Sequence, residues 1–277
     1  NVKEQDSSEK NEGETTENED STAVKWDSLQ LQLFDGDRLI RTLKQKAPEE
    51  NGIHQWRWNM DEKGVKWPSK KLNTSTREPS GVQVLPGTFH AVISYGDHKS
   101  ETTIEVQSDP RITYDKNSTL EVYKTLKDFE ELQEITANAV KQLVDSKTIA
   151  NEFSTKLKKN NKTLNKDAIE NCKAITKKID TILALYFGKN DKRQGITSDP
   201  EVSVTDRMGL AAYYSRTRLN GITATERTLI AHANTAVEEA LNTTNSFFED
   251  EWSKFKTEME RTDVSPFKPV ETFKLKN

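Results

Sequence analysis

The sequence predicts two architectures in one chain, β first and α second: an antiparallel β-sandwich followed by an antiparallel bundle of long helices. Three observations carry this reading. Between Trp26 and Val106 apolar residues repeatedly alternate with polar ones, the period of a strand with one buried face. From Ile112 to Phe187 there is no glycine and no proline, and apolar residues recur at helical spacing. Between these stretches lies the seam Ser108-Asp109-Pro110-Arg111, where one pattern stops and the other begins.

The β half begins where Leu29, Leu31 and Leu33 alternate with polar residues up to Phe34-Asp35-Gly36-Asp37. Asp-Gly between apolar runs signals a hairpin, so Leu39-Ile40-Arg41-Thr42-Leu43 is the expected return strand. Trp56, Trp58 and Met60 alternate with Arg57 and Asn59 and predict a further strand. After a polar loop, Phe89, Ala91, Ile93 and Tyr95 alternate again, Gly96-Asp97 turns the chain, and Thr102, Ile104 and Val106 form the partner. Pro86-Gly87 marks the start of this long hairpin. Short alternating strands with turns between them point to a small sandwich of immunoglobulin-like type.

The α half opens on a capping box, Ser118 with Glu121. Leu120, Tyr123, Leu126, Phe129, Leu132, Ile135, Ala139 and Leu143 mark one stripe, which Ile149, Phe153 and Leu157 continue as the same helix or a second one. Asn160-Asn161 predicts a turn. Ile169, Cys172, Ile175, Ile179, Ile182 and Tyr186 carry the next helix, which stops at Gly188. Residues 188–203 read as a loop, and Met208 to Tyr214 as a short helix. Thr223 and Glu226 form a second capping box before a run from Ile230 through Ala233, Val237, Leu241, Phe248, Trp252 and Phe255 to Met259. Pro266 and Pro269 end the helical region. Helices with one apolar stripe each pack as an antiparallel bundle. The expected divisions are a flexible acidic linker over 1–23, the sandwich over 24–110, the bundle over 116–263 and a tail over 264–277.

Composition narrows the function classes. Hydrophobic residues make up 32% and charged residues 31%, which suits striped helices better than a large enzyme core. The net charge of −4 and a pI near 5.8 argue against nucleic acid or an anionic membrane as main partner. One cysteine, Cys172, precludes an internal disulfide. No apolar run approaches the roughly 20 residues of a membrane span. The first residue is Asn1, without an initiator methionine, so the chain is read as processed or as part of something longer.

Catalytic signatures are missing. His54, His90, His98 and His232 are scattered, and Cys172 lies on a helix face, so no metal ligand set or cofactor is expected. There is no Gly-x-Ser-x-Gly, no recognisable Cys/His arrangement and no phosphate-binding glycine loop. Glu130-Glu131 and Glu249-Asp250-Glu251 read as solvated helix faces rather than a glycosidase pair. Asn73, Asn117, Asn161 and Asn242 head Asn-x-Ser/Thr sequons, which chance produces readily in an asparagine-rich chain. The tryptophans are the sharpest local feature. Trp56 and Trp58 share a strand face that a sandwich buries. Trp67, in Val65-Lys66-Trp67-Pro68, is the candidate for exposure, and with Asp61 or Glu62 it could stack on a sugar ring.

Gly52-Ile53-His54-Gln55-Trp56-Arg57-Trp58-Asn59, Leu85-Pro86-Gly87-Thr88-Phe89 and Ser108-Asp109-Pro110-Arg111 together resemble the C-terminal region of large exported bacterial proteins. Those proteins carry BNR (Asp-box) β-propellers of sortilin or sialidase-like type, followed by an immunoglobulin-like module and a helical region. The strand Leu39 to Leu43 also resembles the FlgD-type immunoglobulin-like modules of secreted proteins. Phe89 stands where tyrosine is commoner, and residues 69–85 lack the glycine-rich stretch of the family. The Asp-box itself, Ser-x-Asp-x-Gly-x-Thr-Trp, does not occur in the chain. The resemblance therefore implies an upstream propeller as partner in the same polypeptide, an extracytoplasmic location and a non-catalytic accessory role here, bracing the propeller or docking a protein or glycan. On this reading Asp109, Pro110 and Arg111 set the angle between the halves, with Pro110 stiffening the chain and Arg111 free to pair with a carboxylate. A carbohydrate-binding module built on Trp67 is the alternative, and a glycoside hydrolase-like enzyme the remoter one.

Overall fold

A computed structural model describes residues 27–50, 52–71, 75–161, 163–189, 202–219 and 221–262. The expected linker over 1–23, Trp26, Asn73 and the tail with Pro266 and Pro269 lie outside these residues.

The chain is an antiparallel sheet region followed by helices. The first hairpin is β1 (Ser28–Asp35) and β2 (Arg38–Lys46). It turns on Gly36, whose φ of +58° glycine reaches without steric cost. Two short strands follow, β3 (Asp61–Lys63) and β4 (Ser80–Gln83), and then the long hairpin β5 (Gly87–Tyr95) and β6 (His98–Val106). One sheet has the order β2-β1-β5-β6, and β3 pairs with β4 in a second sheet. The β1–β5 register sets Leu33 opposite Ala91, and these two with Ile40 and Phe89 form the core of the sheet. That is the face which the alternation predicts. Ile93 and Leu39 instead lie exposed.

Two expectations about the β half need correction. Residues 53–59, with Trp56 and Trp58, form no strand. Side chains rather than a ladder hold this stretch. The Trp58 indole donates to the Asp61 carbonyl at 2.9 Å and packs edge-on against Phe89, with Met60 at a φ of +56° between. Conversely, β4 lies within the expected polar loop. It has no alternation to reveal it, because its geometry rests on close backbone approach. A Cβ on Gly81 would lie 2.7 Å from the Gly64 nitrogen, and one on Gly64 would lie 2.3 Å from the Ser80 carbonyl oxygen.

The helical half begins with α1 (Lys116–Asn161), a single helix of 46 residues and about 70 Å. Its start lies ahead of Ser118. The Asp115 carboxylate accepts from the Ser118 backbone N–H at 3.0 Å and from its hydroxyl, and the Asp115 carbonyl accepts from the Thr119 N–H. Asp115 is therefore the cap, and these bonds hold its carboxyl below the usual range. Along α1 the buried positions Val122, Phe129, Thr136, Leu143, Ala150 and Leu157 stand seven residues apart. This is the 3.5-residue repeat of coiled-coil packing. It leaves Ile135 and Ile149, which a purely apolar stripe would include, 53% exposed, and buries Thr136 instead. The Thr136 hydroxyl satisfies itself on the Leu132 carbonyl at 2.7 Å.

Helix α2 (Lys166–Phe187) folds back along α1 and buries Cys172, Ile179 and Tyr186 at the same spacing. Helix α3 (Val204–Arg216) exceeds the expected Met208–Tyr214 because Ser203 and Asp206 close an unforeseen capping box. The box of Thr223 with Glu226 starts α4 (Ala224–Phe247), as its sequence predicts. A π-helical turn over Phe248–Trp252 joins α4 to α5 (Ser253–Arg261) without a break. Glu226, Ala233, Ala240 and Phe247 keep the seven-residue repeat, but the next buried residue is Phe255, eight further on. The π turn supplies the extra residue. All five helices contribute to one apolar core.

Candidate functional site

The junction of sheet and helices gathers four buried charged residues, Arg41, Asp61, Glu62 and Glu130, while buried Glu226 pairs with Arg218 at the start of α4. Strand β3 carries Asp61 and Glu62 toward α1, where both are about nine-tenths or more buried. Glu62 Oε1 accepts from Arg38 at 2.9 Å and from the Tyr123 hydroxyl at 2.7 Å. Its Oε2 accepts from Arg38 at 3.0 Å and lies 3.4 Å from Lys127 Nζ. Burial raises the Glu62 carboxyl, but these donors and charges outweigh it and hold the group below the usual carboxylate range. Tyr123 moves up, through burial and its bond to ionised Glu62. Arg41, 3% exposed, donates to the Glu62 carbonyl at 3.1 Å and to the Pro79 carbonyl, and pairs with Asp61 at 3.6 Å. One turn along α1, Lys127 also pairs with Glu130 at 2.7 Å, and Gln133 donates to the Val65 carbonyl at 3.0 Å. Beside this polar cluster, Val82 of β4 packs with Val122 and Leu126 of α1 and with Ile222.

The predicted site residues are therefore separated in role. Trp67 is 41% exposed, as an aromatic platform requires. Asp61 and Glu62 do not stand beside it as available carboxylates; both are sequestered and paired with arginine. Glu130 is another correction, since it lies buried against Lys127 while Glu131 remains exposed. At the seam, the half-buried Asp109 carboxylate accepts from the Arg111 backbone N–H at 3.0 Å and from its guanidinium at 2.6 Å. Arg111 thus pairs with its near neighbour, not across the halves, and holds Asp109 below its ordinary range. Pro110 is exposed.

Arg38, Arg41, Tyr123, Lys127 and Gln133 were not singled out by sequence reasoning. One signal was present. Lys127, Glu130 and Gln133 lie three apart beside the apolar Leu126 and Phe129, where a merely solvated face would not be expected. The cluster is unevenly satisfied: the buried Asp61 Oδ2, Glu130 Oε1 and Gln133 Oε1 have no hydrogen-bond partner. Both Glu62 oxygens accept from donors, and the carboxylate is held ionised between Arg38, Tyr123 and Lys127. Among the described residues no group of three or more His, Cys, Asp or Glu could hold a metal ion, and no helix is long and apolar enough to cross a membrane. Cys172 is buried against Met259, and burial pushes its thiol up.

Next to the cluster lies an open cleft of about 450 Å³ between β4, the seam, the start of α1 and the end of α3. Comparison with protein-family models, with curated proteins and with solved structures found no match to the chain.

Proposed function

We infer that this chain is a non-catalytic accessory region that braces and docks. In this reading the sheet region is an immunoglobulin-like sandwich, the helices are a bundle, and together they form a stiff adaptor for an upstream β-propeller of an exported protein. The observation that supports it is the Glu62 cluster. Buried ionisable groups in an enzyme are poised toward an open site; here Glu62, Arg38, Tyr123 and Lys127 are spent on joining β3 to α1. A chain that commits Arg41, Asp61, Glu62 and Glu130, four of its buried charged residues, to the joint of sheet and helices is built to keep two parts at a fixed angle. The glycan-platform alternative retains an exposed Trp67 but loses the acidic partners that would bind sugar hydroxyls.

The test compares this chain with the longer protein that includes its upstream sequence, in a sialidase assay and on a glycan array. The expected result is turnover or glycan binding by the longer protein only, with a lower melting temperature for the propeller once this region is removed. Turnover by this chain alone overturns the reading. Glycan binding by this chain that is lost in Trp67→Ala overturns it in favour of the sugar platform.

A further inference from the structure

We propose that the cleft beside the Glu62 cluster is a docking site for an extended peptide segment, apolar and acidic, of a protein partner. The proposal rests on the accessory reading above and names the chemistry of what is docked.

The cleft has an apolar floor and a cationic rim. Val84, Leu85 and Val122 line it, and its lips carry Ile112, Tyr114 and Leu219, which are 38%, 41% and 58% exposed. Large apolar side chains clustered at a concave surface mark interaction sites, and about 450 Å³ lies within the range of ligand pockets. The rim charge is unbalanced. Asp109, on the seam side, is neutralised by Arg111. On the α3 side, Arg218 is paired through its terminal nitrogen with Glu226, yet its buried Nε has no hydrogen-bond partner, and Arg216 has no ion pair among the described residues. The unpaired charge at the cleft is therefore the Arg216 guanidinium, the group best suited to carboxylates, with the Arg218 Nε as a further donor.

The choice of a peptide over a fatty acid or other apolar acid comes from the wall. Strand β4, which lines the cleft from Ser80 to Gln83, pairs among the described residues with β3 alone. A strand with one free edge offers main-chain donors and acceptors to an extended peptide, which a hydrocarbon chain leaves unused. Ser108 and Thr113 add hydroxyls to the same wall. The site thus supplies apolar pockets for side chains, polar groups for a backbone, and arginine for an acidic residue.

The experiment uses the whole chain and three fluorescein-labelled nonapeptides in which leucine and phenylalanine alternate with glutamate, with glutamine or with lysine. Anisotropy titrations are run at low and at physiological salt. The glutamate peptide is expected to bind at least about tenfold tighter than the glutamine peptide and to lose that margin in Arg216→Glu, as one charge-assisted hydrogen bond predicts. Leu219→Ser is expected to weaken all three peptides. Both positions are exposed, and an unchanged thermal unfolding curve shows that the variants fold. Equal binding of the three peptides overturns the proposal, and so does indifference to Arg216→Glu. Binding of octanoate that displaces the glutamate peptide with equal affinity replaces it with a small-acid site. A dimer in sedimentation that Leu219→Ser dissociates replaces it with self-association. The sialidase, glycan and propeller-stability assays above do not depend on the cleft, so failure of the peptide to bind leaves the accessory reading standing.

Discussion

Single side chains at the junction carry unequal weight, and burial decides which. Arg38 pairs with both Asp35 and Glu62, at 3.0 and 2.9 Å, but Asp35 is 53% exposed and Glu62 5%. Water and salt screen the first pair, so Asp35→Ala is expected to cost no more than about 0.5 kcal/mol. Glu62→Ala strips Arg38, Tyr123 and Lys127 of a shared acceptor. The expected cost is about 2 kcal/mol by urea unfolding, discounted because Arg38 is half exposed. Equal shifts of the two variants would show that the cluster is not the joint. Glu226 gives a prediction in pH. Hydrogen bonds from Arg218 and then Thr223 bring its carboxyl from 4.5 down to about 2. A group depressed in the folded state stabilises above its unfolded pKa and loses that contribution as pH falls through the folded one. Glu226→Gln is therefore expected to be less stable than the wild type at pH 7. The difference should shrink from about pH 4.5 downward and close near pH 2. Parallel stability curves through this window would count against the assignment.

Among the elements, the π-helical turn between α4 and α5 has the clearest role. The turn adds one residue to a seven-residue repeat, and so brings Phe255 and Met259 rather than Lys254 and Glu258 onto the core side. Inserting an alanine after Asp250 adds a second residue to the repeat and rotates α5 by about 100°. Phe255 and Met259 then leave the core, at a cost of about 3 kcal/mol or more. Cys172, buried 3.9 Å from the Met259 sulfur, provides the readout. It is the one cysteine of the chain, so thiol labelling by a disulfide reagent reports on its burial between α2 and α5. Labelling should accelerate strongly in the insertion variant. An unchanged rate would mean that the helix absorbs the second residue and α5 keeps its face.

In the molecule as a whole, sheet and helices are expected to unfold together. The joint combines the Glu62 cluster with the apolar contacts of Val82, Val122, Leu126 and Ile222. Leu126→Asp places a charge in that apolar contact and should divide one calorimetric transition into two. Persistence of a single transition would show that the joint is not what couples the halves.

Local chemistry was enough to read the two hairpins, the Thr223–Glu226 box, the stop at Gly188 and the order of β before α. Turns, caps and periodicity act within a few residues, and those residues are visible in the sequence. Packing decided the rest. Whether Ile135 or Thr136 faces inward depends on a repeat of 3.5 rather than 3.6, which only a neighbouring helix imposes. Strand β4 exists because Gly81 can approach Gly64 across seventeen positions of chain. The roles of Asp61 and Glu62 turned on the same distinction. Near Trp67 in sequence they suggested a ligand site, but a carboxylate becomes an anchor or a binding group according to what surrounds it. Arg38 and Tyr123, remote in the chain, meet Glu62 only after the sheet has closed on α1. Short-range rules set the elements, and long-range burial assigned the charges, because the free energy of an ionised group depends on partners and solvent that sequence proximity does not specify.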